Sequence, residues 1–326
     1  MVAHFCDEVF ISVVVPMYNE ADNVEALYQR LTRVLEGLGR SYEIICVNDG
    51  SRDDTLEKLR ALHAADPRLK VIDLSRNFGK EIALTAGLDL ARGEVVIPID
   101  ADLQDPPELI PVLLEKWEEG YDVVYAVRTE REGESWLKKT TSLLFYKLMQ
   151  RIARIDLPPN TGDFRLMSRT VANALREIRE THRFMKGLFS WVGFRQTGVY
   201  YQRKPRYAGR TKWDYGRLWN LAVEGITSFS YLPLQLATYL GFAVAMFSFA
   251  YGAYLIVKTL LFGNPVPGYP SLMVVILFLG GIQLLTIGIL GEYMGRIYTE
   301  VKRRPLYFVR GLWGWEKVSE EAGGKK

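Results

Sequence analysis

Hydrophobic positions follow two different rhythms along this chain. Up to about residue 230, short apolar runs alternate with stretches where Leu, Val and Ala recur every three or four positions. The runs "FISVVVPMY", "YEIICVND", "LKVIDLS", "EVVIPID" and "YDVVYAVR" are rich in β-branched residues and read as buried strands. Between them, "NEADNVEALYQRLTRVLEGLG", "DTLEKLRALHAAD", "KEIALTAGLDLA" and "PELIPVLLEKWEEG" carry helical spacing. The first of these opens on an Asn/Glu/Asp-rich turn and closes on Gly. Such alternation predicts an α/β domain on a mostly parallel sheet covered on both faces.

The second rhythm is unbroken apolarity. Residues 232–291 contain one Lys and otherwise almost nothing more polar than Ser, Thr, Asn and Gln. Leu234 to Val257 gives 24 residues without a formal charge, and Tyr269 to Gly291 another 23. About 20 apolar residues suffice to cross a hydrocarbon core, and the turn "KTLLFGNPVPG" suits a helical hairpin. Two buried core helices would need a protein surface covering both on all sides, which makes that the poorer reading. Lys258 is the one basic residue of the turn. Lys212 and Arg217 precede the first span, and Arg296, Lys302, Arg303, Arg304 and Arg310 follow the second. The positive-inside bias then predicts a multi-pass inner-membrane protein with both termini and the polar portion cytoplasmic. Trp213, Tyr215, Trp219 and Tyr231, with Tyr293, Tyr298 and Tyr307, suit interfacial anchors. "SWLKKTTSLLFYKLMQRIARI", residues 135–155, reads as a basic amphipathic helix able to lie on an anionic leaflet. The expected division is a polar domain over 1–212 that includes this helix and a juxtamembrane interfacial helix over 213–231. Two spans over 232–291 and a cytoplasmic tail over 292–326 complete it.

Composition narrows the classes. A net charge of +3 over 326 residues is too small to imply nucleic acid. Cys6 and Cys46 form no CxxC and have no ligand-like His nearby, so buried thiols are expected rather than a disulfide or zinc site. His4, His63 and His182 are scattered and receive no chemical role. The N-terminal run "VFISVVVP" lacks a basic region before it and reads as the first strand, not a signal peptide.

Parallel sheets bind ligands outside the carboxyl ends of their strands. Here strand one ends in Tyr18, Asn19 and Glu20, strand two in Asp49, and strand four in Asp100 and Asp102. Neither GxGxxG nor GxxxxGK[ST] occurs, which leaves a nicotinamide fold and a P-loop unsupported. Alternate residues of an extended segment share a face, so Asp100 and Asp102 are expected to point together. Unpaired, they would repel and raise one pKa. A divalent cation removes the conflict, and hard carboxylate oxygens suit Mg²⁺ or Mn²⁺, with Gln104 on the same alternation as a neutral ligand. Because Mg²⁺ completes its shell with water and substrate phosphates, a diphosphate is the natural third party. An acidic pair alone is a weak motif; Asp49 on the same rim strengthens it.

The segments "VVVPMYNE" (13–20), "VNDGSRDDT" (47–55), "LSRNFGKEIALTAGL" (74–88), "DADLQDPPE" (100–108), "TGDFRLMSR" (161–169) and "YAGRTKW" (207–213) run in order. With them the chain resembles the family-2 glycosyltransferases of GT-A fold. More narrowly it resembles the polyprenyl-phosphate glycosyltransferases, a group that includes dolichyl-phosphate mannose synthase and bacterial undecaprenyl-phosphate glucosyltransferases. "GILGEYMGRIYTEVKRRPLY" (288–307) extends the likeness through the second span. The resemblance implies a GT-A, Rossmann-like domain followed by a two-helix transmembrane hairpin. It implies that Pro16, Tyr18, Asn19, Glu20 and Asp49 hold the base and ribose of a nucleotide sugar. Asp100, Ala101 and Asp102 match nucleotide and metal contacts, Asp102 and Gln104 metal ligands, and Arg128 a further donor contact. Arg206 and Lys212 match a pair that closes over the diphosphate.

A lipid phosphate acceptor is already anionic near neutral pH, so catalysis can rest on positioning and charge stabilisation. Arg165, Lys138 and Lys139 are candidates for holding that phosphate, and Asp163 for orienting Arg165 or touching the sugar. The expected reaction is inverting, metal-dependent transfer of a hexose, glucose favoured, from UDP-glucose to polyprenyl phosphate. Donors carrying aminoarabinose, mannose or N-acetylglucosamine stay open, as does a homo-oligomer. A processive synthase would bring more spans and a QxxRW motif, and a transporter would also need more spans. A non-catalytic scaffold predicts damaged acidic motifs, yet these are intact.

Overall fold

A computed structural model describes residues 9–129, 158, 161–181, 183–202, 232–263 and 268–315. Strands β1 (Ile11–Met17), β2 (Tyr42–Asn48), β3 (Leu69–Leu74), β4 (Val95–Pro98) and β5 (Val123–Arg128) alternate with four helices, as the hydrophobic rhythm predicts. The helices are α1 (Val24–Gly37), α2 (Thr55–Ala65), α3 (Lys80–Leu90) and α4 (Ile110–Glu118). Next come β6 (Thr161–Ser168), α5 (Arg169–Glu177), α6 (Met185–Trp191) and β7 (Gln196–Tyr201). Two long helices, α7 (Leu232–Phe262) and α8 (Tyr269–Val301), precede a last strand, β8 (Val309–Trp313).

Among the described residues, eight strands join one sheet in the order β7-β5-β6-β4-β1-β2-β3-β8. β1 lies parallel to β2 and β4, β2 to β3, and β5 to β7; β6 runs against both its neighbours and β8 against β3. β2 is buried throughout, and in β1 only Pro16 is partly open, which is why both read as unbroken apolar runs. α1 packs through Val24, Leu27, Leu31 and Leu35, a single helical stripe. Cys46 is a buried free thiol whose pKa burial pushes up to about 12; Cys6 lies outside the described residues.

The reversal at β6 positions the site. Thr161 sits opposite Val127, near the end of β5. The first residues of β6 therefore lie at the edge where the parallel strands finish.

Residues 292–326, expected as a tail, begin differently. α8 continues to Val301, and residues 309–313 add β8 to β3. Arg310 donates to Asp73 at 2.7 and 3.1 Å, Tyr307 donates to Asp89 at 2.8 Å, and the new strand covers a sheet edge that would otherwise present unpaired backbone groups. A five-residue strand reading "VRGLW" is too short to announce itself by periodicity.

The chain forms two compact units, Met1–Leu218 with Pro305–Lys326, and Trp219–Arg304. In the second, Leu234–Phe262 and Val274–Val301 are each long and apolar enough to cross a membrane, by length and composition. Phe247, Phe249, Leu260 and Leu284 are exposed there, far more apolar surface than a water-soluble monomer carries. The expected interfacial helices over 135–155 and 213–231 lie outside the described residues.

Candidate active site

The ends of β1, β2, β4 and β5 and the start of β6 share one rim. Its first wall is a pair of interlocked loops. Asn19, with φ +53°, accepts the Arg52 N–H and donates its own N–H to Ser51; the N–H groups of Glu20 and Ala21 reach Thr55 and Asp53. Pro16 and Tyr18 are half-buried beside them. Asp49, 2 % exposed, accepts the N–H groups of Phe78 (2.7 Å) and Gly79 (2.9 Å). Burial raises its pKa, and those two bonds partly offset the rise. Asp49 thus pins the loop ahead of α3. Gly50 is required there: its φ is +66°, and a Cβ would come within 2.6 Å of the Arg76 carbonyl carbon.

The acidic turn supplies the second wall. Asp102 accepts the Gln104 N–H at 3.1 Å, a bend that Leu103 permits by adopting φ +58°. Ala101 and Asp102 are buried, whereas Asp100 is partly open. Lys80, the first residue of α3, places its Nζ 2.7 Å from Asp100 and 2.5 Å from Asp163 on β6. Burial opposes charging of both partners, yet attraction wins: Lys80 is held above its ordinary range and Asp163 well below the usual carboxylate range, with Lys186 of α6 assisting. Next to them, burial and then the Asp163 charge push Glu81 up to about 8.

Arg165 points inward. It is 3 % exposed, donates to the Gly162 carbonyl at 2.8 Å, and lies 3.8 Å from the centre of the Phe189 ring. Burial lowers its pKa to about 10, with Asp163 in part compensating. In this conformation it offers no open face to a lipid phosphate, contrary to expectation. Its Nε donates to the Asp163 backbone carbonyl at 3.4 Å, which ties the guanidinium to the strand that carries the acid. Arg206, Lys212, Lys138 and Lys139 lie outside the described residues.

Sequence reasoning gave no part to Asp105, Tyr201, Lys80 or Glu81. Asp105 is 1 % exposed; it accepts from the Tyr201 hydroxyl and lies 3.5 Å from the Arg128 guanidinium. Arg128 Nε donates to the same hydroxyl at 3.1 Å. Gly162 makes room, since a Cβ there would meet that guanidinium at 2.6 Å. The only available signal was the third carboxylate of "DADLQDPPE".

Among the described residues, no three His, Cys, Asp or Glu side chains gather with metal-ligand spacing. The expected set of Asp100, Asp102 and the Gln104 amide still fits Mg²⁺ or Mn²⁺. Its donors are hard oxygens, and Asp100 already holds a cation in the form of the Lys80 ammonium. Two shallow hollows of about 440 and 340 Å³ lie elsewhere, against Arg60 and Trp313 and against Trp117 and Arg169. The gathering of charged groups marks the site better than either hollow does.

Chain connectivity gives the rim one more property. β7 ends at this edge, Tyr201 opposite Arg128, before the chain runs on to α7, and β8 begins at it, Val309 opposite Leu74, after α8.

Comparison with known proteins agrees with this architecture. Residues 12–176 match Glycosyl transferase family 2, and residues 232–297 match the GtrB C-terminal hairpin. An uncharacterized glycosyltransferase of Synechocystis sp. is 59% identical, covering 95% of this chain and 98% of its own. The SfII prophage-derived bactoprenol glucosyl transferase of Shigella flexneri is 51% identical over 92% of this chain and 97% of its own. A prophage bactoprenol glucosyl transferase homolog of Escherichia coli K12 is 50% identical over 92% and 98%.

Proposed function

The chain belongs to glycosyl transferase family 2, and from that premise we propose that it transfers glucose from UDP-glucose to undecaprenyl or another polyprenyl phosphate at the cytoplasmic membrane face. Two relatives named as bactoprenol glucosyl transferases or their homolog, together with the matching hairpin, support the acceptor class. One observation carries the reading. The ends of β4 and β5, the start of β6 and the first residue of α3 gather Asp100, Asp102, Asp163, Lys80 and Arg128 on one rim, the mix of acids and cations that a metal-bound diphosphate calls for.

The chemistry needs charge more than proton transfer. A phosphate monoester loses its second proton near pH 6, so the acceptor is a ready nucleophile. Asp163 fits such a scheme. Held well below the ordinary carboxylate range, it is a poor general base near neutrality and a good electrostatic partner. Arg128, joined by Arg206 and Lys212, would offset the charge of the departing diphosphate. Lys138 and Lys139 would hold the acceptor phosphate, while Arg165 braces Asp163. Asp100, Asp102 and Gln104 would hold Mg²⁺ or Mn²⁺, which when bound supplies positive charge at the diphosphate. In-line attack inverts the anomeric carbon, giving a β-linked product from an α-linked donor.

The test is incubation of purified full-length protein with UDP-glucose, Mg²⁺ and polyprenyl phosphate, followed by mass spectrometry of the lipid. A glucosyl lipid phosphate is expected. Product only with another nucleotide sugar would replace glucose and keep the class; no product with any donor would overturn the proposal.

A further inference from the structure

The acidic rim is already occupied by a cation of the protein's own. Both Asp100 oxygens lie within 3.0 Å of Lys80 Nζ, and Asp163 Oδ2 lies 2.5 Å from the same nitrogen. The second Asp163 oxygen is buried with no hydrogen-bond partner among the described residues. The Lys80 side chain is 44% exposed against 7% for Asp163: the two acids enclose its ammonium while the stem meets solvent, so the cation has a way out that the carboxylate lacks. A four-carbon stem on the first residue of a helix gives it the reach to do so.

An ion entering at Asp100 and Asp102 must compete for the same carboxylate oxygens and sit beside a fixed positive charge. A nucleoside diphosphate changes that balance, because its own negative charge offsets both cations. We propose that Lys80 is a built-in counter-cation that disfavours binding of a divalent metal ion alone and yields Asp100 when metal and nucleoside diphosphate arrive together. Metal and nucleotide are thereby coupled through one side chain, and the coupling is reciprocal. Lys80 acts here as a positioning residue, released from Asp100 while retaining Asp163. The inference rests on Asp100 and Asp102 being the metal ligands.

The experiment measures Mn²⁺ binding to the full-length protein in detergent by electron paramagnetic resonance, with and without saturating UDP. The wild type should bind Mn²⁺ at least about tenfold more tightly with UDP, the order expected for relief of one nearby charge in a partly solvated site. Lys80→Met should tighten binding of Mn²⁺ alone by about tenfold and shrink the UDP effect, while Lys80→Arg keeps the wild-type pattern. Because Lys80→Met strips a buried acid of its partner, the comparison is repeated in an Asp163→Asn background, where the same ordering is expected. Equal Mn²⁺ affinity of the Met variant and its parent in that background overturns the role of Lys80. Absence of Mn²⁺ binding to the wild type even with UDP overturns the metal ligands themselves, and the proposal with them.

Discussion

Tyr201→Phe tests whether Asp105, Tyr201 and Arg128 act as a unit. The substitution deletes one hydroxyl that donates to a carboxylate 1 % exposed and accepts from Arg128 Nε at 3.1 Å. A hydrogen bond to a buried charged group is worth about 1.5–3 kcal/mol. The Arg128 bond adds less, because its side chain is 24% exposed and water can replace the hydroxyl. If the triad serves to aim Arg128 at the donor, about 1.4–2.7 kcal/mol should appear in kcat/KM, a loss of roughly 10- to 100-fold. Asp105→Asn should cost a similar amount. Steady-state transfer to polyprenyl phosphate, with UDP-glucose varied, gives both values. The double variant should lose no more than the worse single one, since partners in one network are non-additive. In an Arg128→Ala background, Tyr201→Phe should change kcat/KM by less than about twofold. Full additivity, or an undiminished Tyr201→Phe effect without Arg128, would refute the argument.

Other predictions use different parts of the rim. Gly50→Ala forces a left-handed φ on a residue with a Cβ, costing about 1–2 kcal/mol before the backbone contact at 2.6 Å is counted; thermal unfolding should drop and UDP affinity by calorimetry should fall with it. Glu81, pushed from 4.5 up to about 8 by burial and by Asp163, takes up a proton on folding, so its contribution is full below about pH 4.5 and lost as pH rises through about 8. Glu81→Gln should therefore melt above the wild type at about pH 9, with the gap closing near about pH 5. Arg310→Ala leaves Asp73, 2 % exposed, without its guanidinium; the loss is about 1–2 kcal/mol, since Arg310 itself is half-exposed, and Arg310→Lys should restore part of the melting temperature.

Much of the fold was legible because β1, β2 and β4 are largely apolar on both faces and stop abruptly at polar residues. That pattern also located the rim, since the runs "YEIICV" and "EVVIPI" give out at Asn48–Asp49 and at Asp100. It failed where an element is short or reversed. "TGDFRLMS" is buried from end to end yet carries Asp and Arg, so nothing in its composition reads as a central strand. "VRGLW" follows an apolar hairpin and shows no alternation long enough to name a sheet partner.

The partners of charged residues were illegible for a deeper reason. Lys80 and Asp163 stand 83 positions apart, and they meet because β6 enters the sheet upside down. Had β6 run parallel to β4 and β5, its opening residues would lie at the far edge and Asp163 could not reach the rim. The three aspartates of "DADLQDPPE" show the same dependence on topology. Asp100 is bound by Lys80 at the rim, Asp102 by the turn itself, and Asp105 is drawn inward by Tyr201 from a strand ninety-six positions away. One local motif thus serves three separate electrostatic tasks. A reading that assigns every acid of such a motif to a metal overcounts, because burial beside a fixed cation decides which carboxylates stay available to a ligand.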